Sequence, residues 1–302
     1  MPFDHPPLSA ITTRLRAAGC VYAEEEAELL LAARFPPGQL SEAVDQRVAG
    51  FPLEHILGWA EFCGLRIAVE PGVFVPRRRT ELLVREAAAL LRVKTSPTAA
   101  AGAVVVDLCC GSGAVGTALA AVAKDIELHA SDVDPAAVRC ARRNILPARG
   151  NVHEGDLYSA LPPRLRGQID ILAVNAPYVP TESISSMPHE ARVHESRLSL
   201  DGGQDGLDIQ RKVAAAARTW LKPGGHLLIE TSRRQADLTA TTVARGGLTP
   251  RIVRSDELDA TVVVGLRPYG HQVGVCLCSG GVLWGGGGWG GFFGGGRCGV
   301  GG

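Results

Sequence analysis

An α/β fold with a mostly parallel, seven-stranded sheet, preceded by a small helical N-terminal domain, is what this 302-residue chain predicts. Three observations carry that expectation. From residue 103 to about 267, apolar strand-length runs alternate with helical patterns, as in parallel strands covered on both faces. Ahead of them, residues 8–50 show only the helical period. The length itself favours two domains, at roughly 150 residues each.

Leu8, Ile11 and Leu15 share one face of a first helix. "AEEEAELLLAARF" (23–35) then places acids in a first turn, where they suit the positive end of the helix dipole. Residues 1–50 form the helical domain, and 51–102 a linker of β-hairpin and helix. In that linker Phe62, Leu65, Ile67 and Val69 lead into a Pro71-Gly72 turn, and Val73-Phe74-Val75 follow it. Thr80 is the expected N-cap of "ELLVREAAALLRV", and "KTSPTAAAG" (94–102) the connection onward.

The third domain spans 103–267. Its strands are "AVVVDL", "IELHAS", "NVHE", "IDILAV", "HLLIE", "PRIVRS" and "ATVVVG", and Asp134 and Pro135 cap and open one intervening helix. The last two strands lie close together, which predicts an antiparallel strand at one edge. From Gly270 onward sixteen of thirty-three residues are glycine, so 268–302 reads as a disordered, non-functional tail.

Formal net charge is zero, which excludes a surface that binds polyanions as a whole. No apolar stretch approaches the ~18 residues of a membrane span. The start "MPFDHPPLSA" lacks the regions of a signal peptide, so a cytoplasmic location with reduced cysteines is expected. The eight cysteines have no zinc-site spacing and no metal is expected.

Chemistry concentrates in two stretches. "VVVDLCCGSGAVG" (104–116) runs from a strand through a Gly-rich turn into a helix, whose free N–H groups and positive end suit a ligand. Gly111, Gly113 and Gly116 spell G-x-G-x-x-G, and Asp132, 21 residues after Gly111, is placed to hold ribose hydroxyls. These features fit NAD(H), FAD or S-adenosyl-L-methionine. Asp107 decides for the last, because an acid there opposes a pyrophosphate and welcomes a sulfonium and an ammonium. Cys109 and Cys110 read as small residues filling a crowded turn rather than as a redox pair. Asp156 is either an adenine contact, with Leu157 packing on the ring, or a turn residue. The second stretch is "VNAPYVP" (174–180), directly after the apolar "IDILAV".

The D-x-x-x-G-x-G pattern of Asp107, Gly111 and Gly113 resembles the first motif of class I methyltransferases, whose fold is Rossmann-like. The resemblance implies cofactor contacts at Asp107, Cys109, Cys110, Gly111, Ser112, Gly113, Asp132, Asp156, Leu157 and Asn175. "NAPY" resembles the N-P-P-Y motif of enzymes that methylate planar nitrogens. Such nitrogens are poor nucleophiles, so both N–H protons need acceptors. Asn175 Oδ1 and the Ala176 carbonyl supply them, with Pro177 and Tyr178 completing the catalytic set and Tyr178 packing on the flat amide. "PLEHILGWAEFCGLRIAVEPGVFVPRRRTELLV" (52–84) and "HEARVHESRLSLDGGQDGLD" (189–208) are similar to the linker and post-catalytic loop of the HemK-like protein-(glutamine-N(5)) methyltransferases. That resemblance covers roughly residues 10–267. It implies methylation of the Gln in the Gly-Gly-Gln motif of peptide chain release factors, with the helical domain helping to hold that protein substrate; no direct sequence-specific nucleic-acid contact and no membrane partner are expected.

Three positions depart from the family pattern: Ala176 for Pro, Cys109 for Gly, and Arg79 for an acid in "PRRRTE" (76–81). The tri-Arg run reads either as a solvated linker or as a grip on an acidic or RNA-bound partner. Gly202-Gly203-Gln204 spells the substrate motif within the chain itself and reads as coincidence. Other readings are an adenine-N(6) nucleic-acid methyltransferase, which should carry a basic target-recognition region, an NAD-dependent oxidoreductase, and a non-catalytic cofactor-binding paralogue.

Overall fold

A computed structural model describes residues 6–36, 38–94, 102–123 and 125–269. Residues 95–101 of the expected linker and 270–302 of the glycine-rich segment lie outside the described residues. No helix among the described residues is long and apolar enough to cross a membrane.

The chain begins with α1 (Leu8–Ala17), α2 (Ala23–Ala32), α3 (Gln39–Val48) and the short α4 (Leu53–Leu57). Ile11, Leu15, Ala27, Leu30 and Val44 pack together in a core of their own. Leu8 does not join them. It is 41% exposed, because it opens the helix where no neighbour covers it. Arg47 of α3 holds Glu26 of α2 through Nε at 2.6 Å and reaches Glu190 through Nη1 at 3.3 Å.

β1 (Trp59–Phe62) and β2 (Leu65–Ala68) form an antiparallel hairpin. Its turn is Cys63-Gly64, both with positive φ (51° and 73°), not the expected Pro71-Gly72. A two-residue turn of that kind matches the twist of the strands it joins. The burial of Phe62 and Ile67 against Leu83 and Leu91 fixes the register, and residues 73–75 pack as irregular chain with Val73 and Val75 buried. The segment therefore shares the sheet's core and is not a spacer beside it. α5 (Glu81–Lys94) follows Thr80 directly.

The sheet then assembles from β3 (Ala103–Leu108), β4 (Ile126–Asp132), β5 (Asn151–Glu154), β6 (Ile169–Val174), β7 (Leu221–Thr231), β8 (Thr249–Ser255) and β9 (Ala260–Leu266). Between them run α6 (Ala114–Val122), α7 (Pro135–Ile145), α8 (His189–His194), α9 (Asp208–Trp220) and α10 (Ala236–Arg245). Asp134 caps α7 by accepting from Ala136 N, with Pro135 first in the helix, as expected. Strand order is β5-β4-β3-β6-β7-β9-β8. All neighbours up to β7 are parallel, and β9 runs antiparallel to both β7 and β8. The antiparallel strand is thus next to the edge rather than at it. "ATVVVG" is buried throughout and needs a strand on each side, whereas β8, with Pro250 and two exposed arginines, tolerates the rim.

The chain winds outward from β3 in both directions, first to β4 and β5, then to β6 and β7. The C-terminal ends at that switch point form a crevice, the usual ligand position in such sheets.

Candidate active site

The turn after β3 is built from backbone in unusual conformations. Gly111 and Gly113 have φ of 53° and 75°, and Cys109 occupies the same left-handed region at 58°. Its Sγ-bearing side chain is tolerated there at a cost glycine would not incur. A Cβ on Gly113 would stand 2.9 Å from Ile145 Cγ1 as well as being conformationally strained. Gly113→Ala is expected to lower stability by more than about 1 kcal/mol, read from the denaturant midpoint. Asn144 ties the turn to the hairpin, donating from Nδ2 to Ser112 O (2.8 Å) and Ala68 O (2.9 Å).

Two carboxylates shape the turn from within. Asp107 Oδ2 accepts from Gly116 N at 2.8 Å. Asp132 accepts from Gly111 N through Oδ2 (2.8 Å) and from Asp134 N through Oδ1 (2.9 Å). Burial pushes Asp107 up to about 8 from an ordinary 3.8, and raises Asp132 as well. Between pH 3.8 and about 8 the folded chain therefore holds a proton on Asp107 that the unfolded chain has lost. Stability from this group falls as pH rises through that window and is flat above it. Asp107→Asn keeps an acceptor for Gly116 N, so without added ligand it should raise the unfolding midpoint by more at about pH 8.5 than at about pH 5. An equal shift at both values would contradict the buried-charge account.

All the expected site residues except Gly113 line one cavity of about 730 Å³. Gly113 stands behind it as the N-cap of α6. Asp107, Asp132 and Asp156 lie over β3, β4 and after β5, whereas Asn175 to Tyr178 follow β6 on the other side of the switch point. The cavity thus has an acidic end and a second end built around "NAPY".

At that second end Asn175 Nδ2 donates to Thr80 Oγ1 at 3.3 Å. Among the described residues neither Asn175 Oδ1 nor the Ala176 carbonyl accepts a hydrogen bond. Tyr178 donates its hydroxyl to Glu230 Oε1 at 3.2 Å, and Gln235 Nε2 donates to the Tyr178 carbonyl and to Asp205 O, each at 3.0 Å. Burial, then the Glu230 charge, raises the Tyr178 phenol, so it stays a neutral donor. Arg79 Nε lies 3.4 Å from Glu230 Oε1, its guanidinium 6.0 Å from the Tyr178 ring centre.

The tri-Arg run is not one solvated patch. Arg77 pairs with Glu195 at 2.5 Å, whose Oε1 also accepts from Val75 N (3.2 Å), so the run's first member fastens the 189–208 loop over the cavity. Arg79 turns into the site, and only Arg78 is left as an exposed member outside the lining. Rather than standing as the expected N-cap, Thr80 ends a 3-10 turn (Arg78–Thr80) that runs into α5, and its hydroxyl oxygen accepts from Asn175 Nδ2. Gly202 and Gly203 line the cavity, but Gln204 is exposed and does not. Glu195, Glu230 and Gln235 were not singled out from sequence. For Glu230 a signal existed: it closes the apolar strand "HLLIE" at its C-terminal end, the position Asp107 and Asp132 occupy in or at the end of theirs.

The family model described as methyltransferase small domain matches residues 64–204. The chain is 36% identical over 226 residues to a release factor glutamine methyltransferase from Geobacter sulfurreducens, covering 74% of this chain and 76% of that protein. It is 37% identical over 221 residues to the 4-amino-L-phenylalanine/4-methylamino-L-phenylalanine methyltransferase of Streptomyces pristinaespiralis, covering 72% and 74%. Among solved structures it is similar to the release factor-specific protein-(glutamine-N5) methyltransferase of Alicyclobacillus acidocaldarius, with 24% identity, a TM-score of 0.40, and coverage of 66% of this chain and 98% of that one.

Proposed function

The chain belongs to the release factor glutamine methyltransferase family, and from that membership we propose that it methylates the side-chain amide nitrogen of a glutamine in a protein, the Gly-Gly-Gln motif of a peptide chain release factor. It is an S-adenosyl-L-methionine-dependent methyltransferase, and that cofactor supplies a methyl group on a cationic sulfonium when bound. The residues present fit it. Three carboxylates, Asp107, Asp132 and Asp156, line the cavity, and the first of them is driven toward its neutral form by burial and by the neighbouring Asp132 charge, a cost that a bound cation offsets. The left-handed turn at Gly111 lets a ligand approach the backbone, and Leu157 offers an apolar contact beside Asp156.

The observation that carries the acceptor reading is the pair of unengaged oxygens, Asn175 Oδ1 and the Ala176 carbonyl. Each accepts one N–H of a primary amide, which turns the nitrogen lone pair toward the methyl donor. Pro177 holds Ala176 extended even without a second proline, and Tyr178, anchored through its hydroxyl and its carbonyl, walls the flat side of the amide. Formation of the N–CH3 bond would be matched by cleavage of the S–CH3 bond, its electron pair staying on sulfur to give the neutral thioether, and one N–H proton would leave to water. A methylated product has a single N–H and no longer satisfies both acceptors, so transfer stops at one methyl. The helical unit of residues 1–50 is the proposed holder of the protein substrate.

The test is incubation of the purified protein with labelled S-adenosyl-L-methionine and a release factor, followed by fragment mass spectrometry. One methyl on the Gly-Gly-Gln glutamine is expected. Label found only in nucleic acid, or on the amine of a free amino acid, would overturn the proposal. Ala176 and Arg79 are the two positions where a different protein substrate would register.

A further inference from the structure

We propose that Glu230 acts through Thr80 as a positioning residue that fixes which end of the Asn175 carboxamide faces the acceptor. This rests on the reading that the acceptor is an N–H group, and it explains how an amide with two nearly isosteric ends is held one way round.

The relevant groups sit together beneath "NAPY". Glu230 is the penultimate residue of β7, with a side chain only 3% exposed. Its Oε1 accepts from the Tyr178 hydroxyl, whereas its Oε2 is buried with no hydrogen-bond partner among the described residues. Thr80 is equally buried, and its hydroxyl stands beside this carboxyl, favouring the charged form. The Thr80 oxygen meanwhile accepts from Asn175 Nδ2. Among the described residues, then, Glu230 Oε2 has no donor in hydrogen-bond geometry, and the Thr80 hydroxyl beside the carboxyl donates to no other group.

Chemistry then sets the direction. In the ionised form that Thr80, Arg79 and Tyr178 favour, the carboxylate can only accept, and a threonine hydroxyl has one proton to give. With that proton directed at Glu230, the Thr80 lone pairs can be satisfied only by a donor. The NH2 end of Asn175 is that donor, so Oδ1 is turned to the cavity. The reverse orientation would set two acceptors against each other at Thr80 and an NH2 against the substrate N–H. Burial raises the Glu230 carboxyl, and Thr80, then Arg79 (in place of the family's acid), act against that shift and favour the ionised form. Arg79 and Tyr178 are the charged and titratable side chains set against this carboxyl among the described residues; from α9, Gln210 reaches only the Glu230 backbone carbonyl, at 3.4 Å.

Three variants test the relay: Thr80→Val removes the hydroxyl, Thr80→Ser retains it, and Glu230→Gln removes the obligate acceptor. Thr80→Val and Glu230→Gln should lose about tenfold or more in kcat with cofactor affinity unchanged within about twofold, and Thr80→Ser should stay within about threefold of the parent. Thr80→Val at the parent's kcat, or Thr80→Ser as slow as Thr80→Val, would overturn the relay. A second readout needs no acceptor: the 15N-resolved side-chain NH2 signals of Asn175 should shift in Thr80→Val and return in Thr80→Ser. Signals indifferent to the hydroxyl would also overturn it. A parent protein that methylates no glutamine, with the NMR pattern intact, would sink the substrate assignment and still support the relay. Should Glu230→Gln fail to fold, the two Thr80 variants decide alone.

Discussion

Asn175→Ala should slow methyl transfer by on the order of 100-fold or more while leaving S-adenosyl-L-methionine affinity within a few-fold, the scale of losing one preorganised hydrogen-bond partner of the reacting group. The carboxamide does two things that alanine cannot. Its Oδ1 is one of two acceptors available for the substrate N–H groups, and its Nδ2 bond to Thr80 holds it in place. Asn175 lines the cavity, yet the acids proposed to grip the cofactor lie across the switch point on β3, β4 and after β5. The loss should therefore fall on kcat. Single-turnover rates beside calorimetric affinities separate the two quantities, and an Asn175→Ala protein with normal turnover would remove the two-acceptor mechanism.

Asp132→Ala should act at the other end and weaken cofactor binding by ~1–3 kcal/mol, the range for a lost charge-assisted hydrogen bond. In this chain the carboxylate also organises the site itself. Deleting it leaves Gly111 N and Asp134 N without their acceptor, and with them the turn that the ligand must approach. The thermal midpoint should fall as well as the affinity. Asp132→Asn, which keeps one acceptor oxygen, should be milder on both counts. Calorimetric affinity unchanged in Asp132→Ala would contradict its assignment to the ribose.

What could be read from sequence, and what could not, divides along the reach of the interactions. The sheet's seven strands are legible because each is a continuous apolar run, and the Asp134-Pro135 helix start because its cap is local. The hairpin is misplaced because Pro71-Gly72 is the louder turn signal, whereas Cys63-Gly64 turns only because Phe62 and Ile67 are drawn into the core. The place of β9 depends on which strands cover "ATVVVG", and nothing in its own residues says so. In the site, "NAPY" and the Gly-rich turn are contiguous and readable. Glu230 is not, since its partners Tyr178 and Arg79 come from distant parts of the chain and meet it only at the switch point. The same reach misled the reading of the arginines: a run of three looks like one patch, yet the backbone aims Arg77 and Arg79 at different buried acids.

The contact of Arg47 with Glu190 has a consequence for how the molecule comes apart. Glu190 lies in the first turn of the short helix that ends beside Glu195, and Glu195 is the anchor of Arg77, so the helical unit, the loop and the "PRRRTE" segment are fastened in series. Segments linked in series tend to open as one cooperative unit. Amide hydrogens of α3, of residues 189–208 and of 73–80 should accordingly exchange with a shared opening free energy, below that of the central strands. Exchange of these three segments with unrelated opening free energies would contradict that coupling.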